Sequence, residues 1–143
     1  MTPTVKQILR QATLYSDAQS YTFVKLPPGA ITAAAGLVAS IGEPFCALLV
    51  DKDEVSLMIP ADAWDDFKQR FTASVIAANR YRLVTLDVIL EADLVGFMAY
   101  LSDALAQAGV SILPFAAYSR DHLFVQEDQY DLALAALEKL RSA

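Results

Sequence analysis

Residues 91–125 read EADLVGFMAYLSDALAQAGVSILPFAAYSRDHLFV, and this stretch decides the fold. Apolar side chains recur in it every three or four residues from Leu94 to Leu105, which predicts an amphipathic helix. Gly109 follows, and glycine readily adopts the left-handed conformation on which many helices end. The apolar run at 110–118 predicts a central strand, and a short polar turn separates it from a predicted edge strand at 122–126.

The segments on either side of this stretch extend the pattern. A strand is predicted at 83–90. The sequence closes with a predicted helix whose apolar face consists of Tyr130, Ala133, Leu134, Leu137 and Leu140. The second half therefore has the order strand, helix, strand, turn, strand, helix.

The first half repeats most of that order with few residues in common. Three strands are predicted there, at 21–26, 45–50 and 55–59. Pro60 is typical of a helix start, whereas the small apolar residues at 30–40 favour no structure. A short amphipathic helix near residues 3–14 would act as a lid or cover an edge.

This repetition predicts an α+β fold made of two modules in tandem. The predicted domains are an N-terminal helix at 1–19, a first module at 20–79 and a second module at 80–143. The second module lacks a closing strand of its own, because the chain ends on a helix. We expect the strand at 21–26 to fill that place, so that a strand is exchanged between the modules.

Composition and charge narrow the classes of function. With 55% hydrophobic and 20% charged residues, the chain can bury a core. No apolar run reaches the roughly 18 residues of a membrane span, and the N-terminus lacks the apolar core of a signal peptide. A soluble cytoplasmic protein with no membrane partner is expected. A net charge of −6 argues against a nucleic-acid partner, since phosphate binding requires clustered basic residues.

Few residues are candidates for catalysis or metal binding. Cys46 lies in an apolar run, where burial raises the pKa of a thiol. His122 is the only histidine, and its neighbour Asp121 points to the opposite face of the same strand. Ser56 and Ser111 lie in no Gly-x-Ser-x-Gly sequence of a nucleophile elbow. We therefore expect no enzyme activity, no metal and no cofactor.

Several short motifs resemble those of the ACT-domain family, in particular the small stand-alone bacterial proteins with two ACT modules. They are DLVGFM at 93–98, LAQAGVSI at 105–112, DHLFV at 121–125 and, in the first half, EVSLMIP at 54–60. The resemblance covers about residues 21–140. It implies two ferredoxin-like βαββαβ modules with antiparallel sheets and helices on one face, and homodimers formed by sheet pairing.

The same resemblance implies a regulatory protein that binds an amino acid between its modules and thereby alters its interaction with a partner protein. The loop Asp93, Leu94, Val95 and Gly96 would present backbone N–H groups at a helix start to the ligand carboxylate. Asp93 would hold the ligand ammonium group. Alternatively, Asp93 is a plain N-cap of a helix that begins at Leu94, and Gly96 is a packing contact between helix and sheet.

The other ligand contacts implied by the resemblance lie on strands or at their ends. They are Ser111, Ile112, Asp121, Val55 and Ser56. Many relatives carry a polar residue where this chain has Leu113 and Pro114, and often His where it has Arg120. These departures leave open a second hypothesis, an assembly module with a vestigial pocket that binds protein partners only.

Overall fold

The computed structural model describes residues 3–42 and 45–143, which divide into two compact units. One unit, Gln19–Tyr81, is inserted into the chain of the other, which consists of the segment up to Ala18 and Arg82–Ala143. We call them the inserted unit and the outer unit. Among the described residues, no helix combines the length and apolar character needed to cross a bilayer.

The helices and strands follow one another along the chain in a regular order. They are α1 (Val5–Gln11), β1 (Thr13–Tyr15), β2 (Tyr21–Leu26), α2 (Ile31–Ile41), β3 (Ala47–Val50), β4 (Val55–Pro60), α3 (Ala61–Phe67), β5 (Val75–Ile76), β6 (Tyr81–Asp87), α4 (Phe97–Gln107), β7 (Ile112–Ala116), β8 (Asp121–Gln126) and α5 (Tyr130–Arg141). Short 3-10 turns precede α2 and α5 and follow α3.

The inserted unit has the order β2, α2, β3, β4, α3, β5. Its strands lie in the order β3-β4-β2, with β5 also paired to β2, and all of these pairings are antiparallel. The strand predicted at 21–26 is confirmed as β2. The buried core of the inserted unit lies between its sheet and the helices α2 and α3. It consists of Val24, Leu26, Ala34, Leu37, Val55, Leu57, Ile59 and Trp64. Cys46 packs against this core, and burial raises the pKa of its thiol, as its apolar surroundings predict.

The expected strand exchange is supported at one residue pair only. β2 pairs with β4 along its whole length, and its other side pairs with β5 at Val24 and Lys25. Its pairing with β6 is limited to Tyr21 and Tyr81. The last three residues of β6 pair instead with β1, from Thr13 opposite Asp87 to Tyr15 opposite Thr85. β1 and β5 are too short to show a period-two pattern, which is why the sequence did not reveal them.

In the outer unit, the strands predicted as central (110–118) and as edge (122–126) have exchanged positions. Its strands lie in the order β6-β8-β7, so the segment predicted as a central strand is β7, an edge, and the predicted edge strand is β8, a central one. Pro114 in β7 has no N–H to give to a further strand, which suits an edge. Leu123, Phe124 and Val125 in β8 are fully buried, as a central strand requires.

The N-terminal segment packs into the outer unit. Leu9 of α1 is fully buried in the core that also contains Leu101 of α4 and Leu137 of α5. The guanidinium of Arg10 donates to the carbonyl of Ala143 at 2.9 Å. Helix α1 and strand β1 therefore complete the helix layer and the sheet of this unit.

Candidate functional site

The loop between β6 and α4 ends in a helix start that no side chain caps. Gly96 occupies the N-cap position with a φ of 92°, and α4 begins after it at Phe97. The predicted helix start at Leu94 with Asp93 as its N-cap is therefore wrong. The N–H of Leu94 donates to the carbonyl of Glu91 at 3.1 Å, which turns the chain before the helix. The first N–H groups of α4 have no acceptor within the helix.

The turn between β7 and β8 lies against this loop. The N–H of Ala117 donates to the carbonyl of Arg120 at 2.9 Å and closes the turn. The N–H of Leu90 donates to the carbonyl of Ser119 at 2.7 Å, which fixes the loop on the turn. This juxtaposition follows because β6 and β8 are neighbours in the sheet. The contacts of Thr85 with His122 and of Asp87 with Arg120 bring the end of β6 to the start of β8.

A cavity of about 440 Å3 lies between the loop, the start of α4 and the turn. We call it the first cavity. Its volume falls in the range of about 300–1,000 Å3 that is usual for small-molecule sites. Its walls are Leu90, Glu91, Ala92, Leu94, Gly96, Phe97, Met98, Ala99 and Ala116, Ala117, Tyr118, Ser119, Arg120, Asp121.

Charges of both signs line the first cavity. Glu91 and Asp121 contribute carboxylates, and Arg120 contributes a guanidinium. The Nε of Arg120 donates to Oδ1 of Asp87 at 2.8 Å, which orients the guanidinium. Burial raises the pKa of Asp121, and the nearby His122 opposes this shift. The walls of this open cavity therefore include one basic and two acidic residues.

His122 does not line this cavity. Its Nδ1 lies 2.8 Å from Oγ1 of Thr85, a buried hydroxyl on β6. Burial lowers the pKa of His122, and the charge of Arg120 also lowers it, whereas Asp121 raises it. The contact with Thr85 holds the imidazole ring of His122 against the sheet. Across residues 3–42 and 45–143, no three His, Cys, Asp or Glu side chains gather as metal ligands.

A second cavity, of about 420 Å3, adjoins the first. It lies between α1 and the loop before α4, and most of its walls are apolar: Pro3, Ile8, Gln11, Val88, Ile89, Glu91, Asp93, Leu94 and Val95. Glu91 and Leu94 line both cavities. The loop thus separates an open cavity that has charged residues of both signs in its walls from a more apolar one.

The structure brings together only part of the predicted site. Leu94, Gly96 and Asp121 meet at the first cavity, whereas Asp93 and Val95 line the second. Asp93 and the start of α4, which were predicted to bind one ligand together, therefore line different cavities.

The other four predicted residues lie elsewhere. Ser111 precedes the far end of β7, and its N–H donates to Oε1 of Gln129 at 3.1 Å. Ile112 packs against the outer core. Val55 is fully buried in the core of the inserted unit, and Ser56 is its neighbour on β4.

Sequence reasoning missed two charged residues of the first cavity. Glu91 follows a predicted strand and matches no motif residue. Arg120 lies in a predicted turn, and the resemblance marks it only as a departure from the histidine of many relatives. A correct strand order would have revealed them, because it places the end of β6 beside the start of β8.

Residues 76–139 match the model of the ACT domain. This part of the chain is similar to the ACT-domain family. The matched range includes every residue that lines the first cavity, together with α4, β7 and β8. The ACT domain thus coincides with most of the outer unit.

Solved structures share the fold across the chain. A Vibrio cholerae protein of unknown function, described as a possible transport protein, is 26% identical with a TM-score of 0.74, and the match covers 96% of each chain. An Agrobacterium tumefaciens protein is 18% identical (TM-score 0.71), and the match covers 98% of this chain and 91% of that chain. The regulatory subunit of aspartate kinase from Thermus flavus is 13% identical (TM-score 0.66), with 90% and 97% covered. None of the curated proteins compared with the chain matches it.

Proposed function

We propose that this protein is a non-catalytic regulatory protein that binds a free amino acid in the first cavity. The observation that carries the proposal is the uncapped start of α4, which opens onto a cavity of small-molecule size lined by charges of both signs. The ACT match over the same residues supports it. The fold of an aspartate kinase regulatory subunit, which the chain resembles, supports a regulatory role.

The arrangement suits a zwitterion. The ligand carboxylate would accept hydrogen bonds from the first N–H groups of α4, where the helix dipole favours negative charge. Arg120 would add a charged donor, oriented by its bond to Asp87. Glu91 and Asp121 would accept from the ligand ammonium group. Gly96 leaves the helix start open, because it has no side chain to cover it.

A bound ligand would contact both the loop before α4 and the turn between β7 and β8, and would act on the protein through them. A ligand that contacts both would favour the arrangement in which they are held together, and so shift the population of the protein toward it. A partner protein that distinguishes the two arrangements would then respond. We propose a homodimer as the starting state, because the edge strand β7 exposes backbone groups to pairing.

The roles of Ser111, Ile112, Val55 and Ser56, and a ligand held between two tandem modules, stay predictions. Asp93 belongs to the second cavity and would reach a ligand only from that side. Leu113 and Pro114, which motivated the hypothesis of a vestigial pocket, do not line the first cavity. The assembly hypothesis is therefore kept as an outcome of the test.

Thermal unfolding in the presence of each of the twenty amino acids tests the proposal. A ligand that binds only the folded state adds about 2.7 kcal/mol to its stability at a hundred times its dissociation constant. We expect at least one amino acid to raise the midpoint, and Asp121→Asn to reduce that shift.

Two further variants locate the site and control for surface charge. Asp128→Asn makes the same chemical change at an exposed position outside both cavities and should leave the shift intact. Asp93→Ala should reduce the shift less than Asp121→Asn does. If no amino acid shifts the midpoint and equilibrium dialysis detects no binding, the proposal is wrong and an assembly module becomes the better hypothesis.

A further inference from the structure

We infer that the amino acid bound in the first cavity carries a net positive charge, as an amino acid with a basic side chain does. This inference rests on the proposed function and names the class of its ligand. The cavity and the ACT match define the site; the charges that surround it define the class.

The balance of charge around the cavity is negative. Glu91 and Asp121 line it, and Asp87 holds the guanidinium of Arg120 from just outside. Arg120 is the one basic residue among the described residues that line either cavity. A neutral zwitterion brings one carboxylate and one ammonium group, and so leaves the excess of carboxylates uncompensated. A second positive charge on the ligand would reduce it.

The environment of Asp121 favours the same conclusion. Burial raises the pKa of this carboxyl group, and its charge partner in the fold is His122, whose own pKa is lowered by burial. The burial of Asp121 outweighs the compensation that His122 gives to its carboxylate. A cationic ligand group beside Asp121 would supply the missing compensation.

The apolar wall of the site suits the stem of a basic side chain. Leu94 lines both cavities, and beyond it Val88, Ile89 and Ile8 extend the apolar surface of the second cavity. Lysine and arginine side chains pack their methylene groups on apolar surface and keep their charged ends in polar surroundings. Glu91 and Asp93, at the ends of this partition, would face such a charge. An acidic amino acid would meet repulsion on both sides of the loop.

Pairs of amino acids that differ in charge and little in shape test the inference. Isothermal titration calorimetry on the full chain would compare the affinity for L-arginine with that for L-citrulline, and the affinity for L-lysine with that for L-norleucine. We expect each basic amino acid to bind about tenfold tighter than its neutral counterpart, since one partly exposed ion pair contributes roughly fivefold at most and two carboxylates are available. L-glutamate should bind more weakly than either neutral compound.

A matched pair of variants assigns the effect to the loop. Glu91→Gln should lower the affinity for arginine roughly fivefold and change the affinity for citrulline less than twofold. Glu127→Gln makes the same change at an exposed position of the outer unit and should change neither affinity. Glu91 is itself exposed, so its substitution should leave folding intact.

The outcomes separate the class of ligand from the function. Binding of a neutral or acidic amino acid as tightly as its basic counterpart would overturn the inference and leave the proposed function standing. Loss of the preference for arginine in Glu127→Gln as well as in Glu91→Gln would overturn the assignment to this cavity. If none of the amino acids binds, the proposed function fails and the inference fails with it.

Discussion

The corner between β6 and α4 in the outer unit corresponds to the corner between β2 and α2 in the inserted unit, yet the two differ in chemistry. In the inserted unit, residues 27–30 form the whole connection, most of it a 3-10 turn. The cavity beside it measures about 260 Å3 and is lined mainly by small and apolar residues, with Arg70 as its charge. In the outer unit, residues 88–96 form a longer loop that walls two larger cavities.

The order strand, helix, strand, strand, helix is common to both units, so it does not account for the difference. The longer loop does, because it carries Glu91 and Asp93 and leaves the start of α4 open. Binding chemistry therefore resides in a connection mounted on a shared scaffold. Four predictions test this comparison.

The scaffolds should be equally sensitive to cavities in their cores. Leu101 in α4 and Leu37 in α2 are 0% and 1% exposed, so Leu101→Ala and Leu37→Ala should each cost about 2–5 kcal/mol of unfolding free energy. Leu132→Ala, at a half-exposed position of α5, should cost no more than about 0.5 kcal/mol. Urea denaturation measures all three. A cost below 1 kcal/mol for only one of the core variants would show that the two scaffolds are not equivalent.

The glycines of the two corners should differ. Gly96 has a φ of 92°, and a side chain there would meet no neighbouring atom, so Gly96→Ala should cost about 1–2 kcal/mol through backbone strain alone. Gly29 in the other corner lies outside the left-handed region and also has open space, so Gly29→Ala should be neutral or slightly stabilising. Equal costs in thermal unfolding would contradict the distinct backbone of the α4 corner.

The arginines of the two corners should contribute unequally to the binding of an amino acid. Arg120 and Asp87 form an ion pair whose side chains are 40% and 48% exposed, so Arg120→Gln should cost only about 0.2–1 kcal/mol of stability. Arg70 lies 4.6 Å from the ring centre of Phe67, and Arg70→Gln should cost a similar amount. Only Arg120→Gln should weaken the stabilisation by an amino acid, measured as the shift of the midpoint. An equal loss in Arg70→Gln would place ligand binding elsewhere.

The smallest effect is the dependence of stability on pH. It belongs to the outer unit, because the single histidine of the chain, His122, lies on β8. Burial, with a lesser contribution from Arg120, lowers the pKa of His122 below its ordinary 6.5. Between the lowered pKa and 6.5 the unfolded chain binds a proton that the folded chain does not, so stability is fully present above 6.5 and is lost as pH falls. Asp121, with a raised pKa, acts in the opposite direction above its ordinary 3.8.

We therefore expect acidification from about pH 7.5 to about 5.5 to lower the thermal midpoint, and His122→Gln to reduce that decrease. Differential scanning calorimetry at several pH values measures both slopes. Parallel slopes in wild type and variant would mean that another group causes the change.

Much of the fold could be predicted, because long elements carry clear periods. β2 is rich in β-branched and aromatic residues, β4 is a mostly apolar run of six residues, and α5 has a regular apolar face. β1 and β5 are too short for any period, so the strands beside β6 and β2 were missed. The order of β7 and β8 was reversed because apolar character was taken as the sign of a central strand, whereas Pro114 was the better sign of an edge.

The site was less predictable than the fold. The loop around Leu94 and Gly96 could be located from its motif, but the start of α4 depends on the left-handed Gly96, which no propensity fixes in advance. Arg120 and Glu91 face one cavity only because two strand ends meet. That information lies in strand order, which local sequence does not contain.

The insertion of one unit into the other also sets an order of events during synthesis. Helix α1 and strand β1 are translated before the inserted unit, yet β1 pairs with β6 and α1 packs on α5, which are translated after it. At about 5–20 residues per second, the inserted unit is translated in full while Leu9 and Leu14 still lack their partners. The outer unit cannot close until α5 has been made. Leu9, which is fully buried in the finished unit, therefore stays exposed to solvent until then.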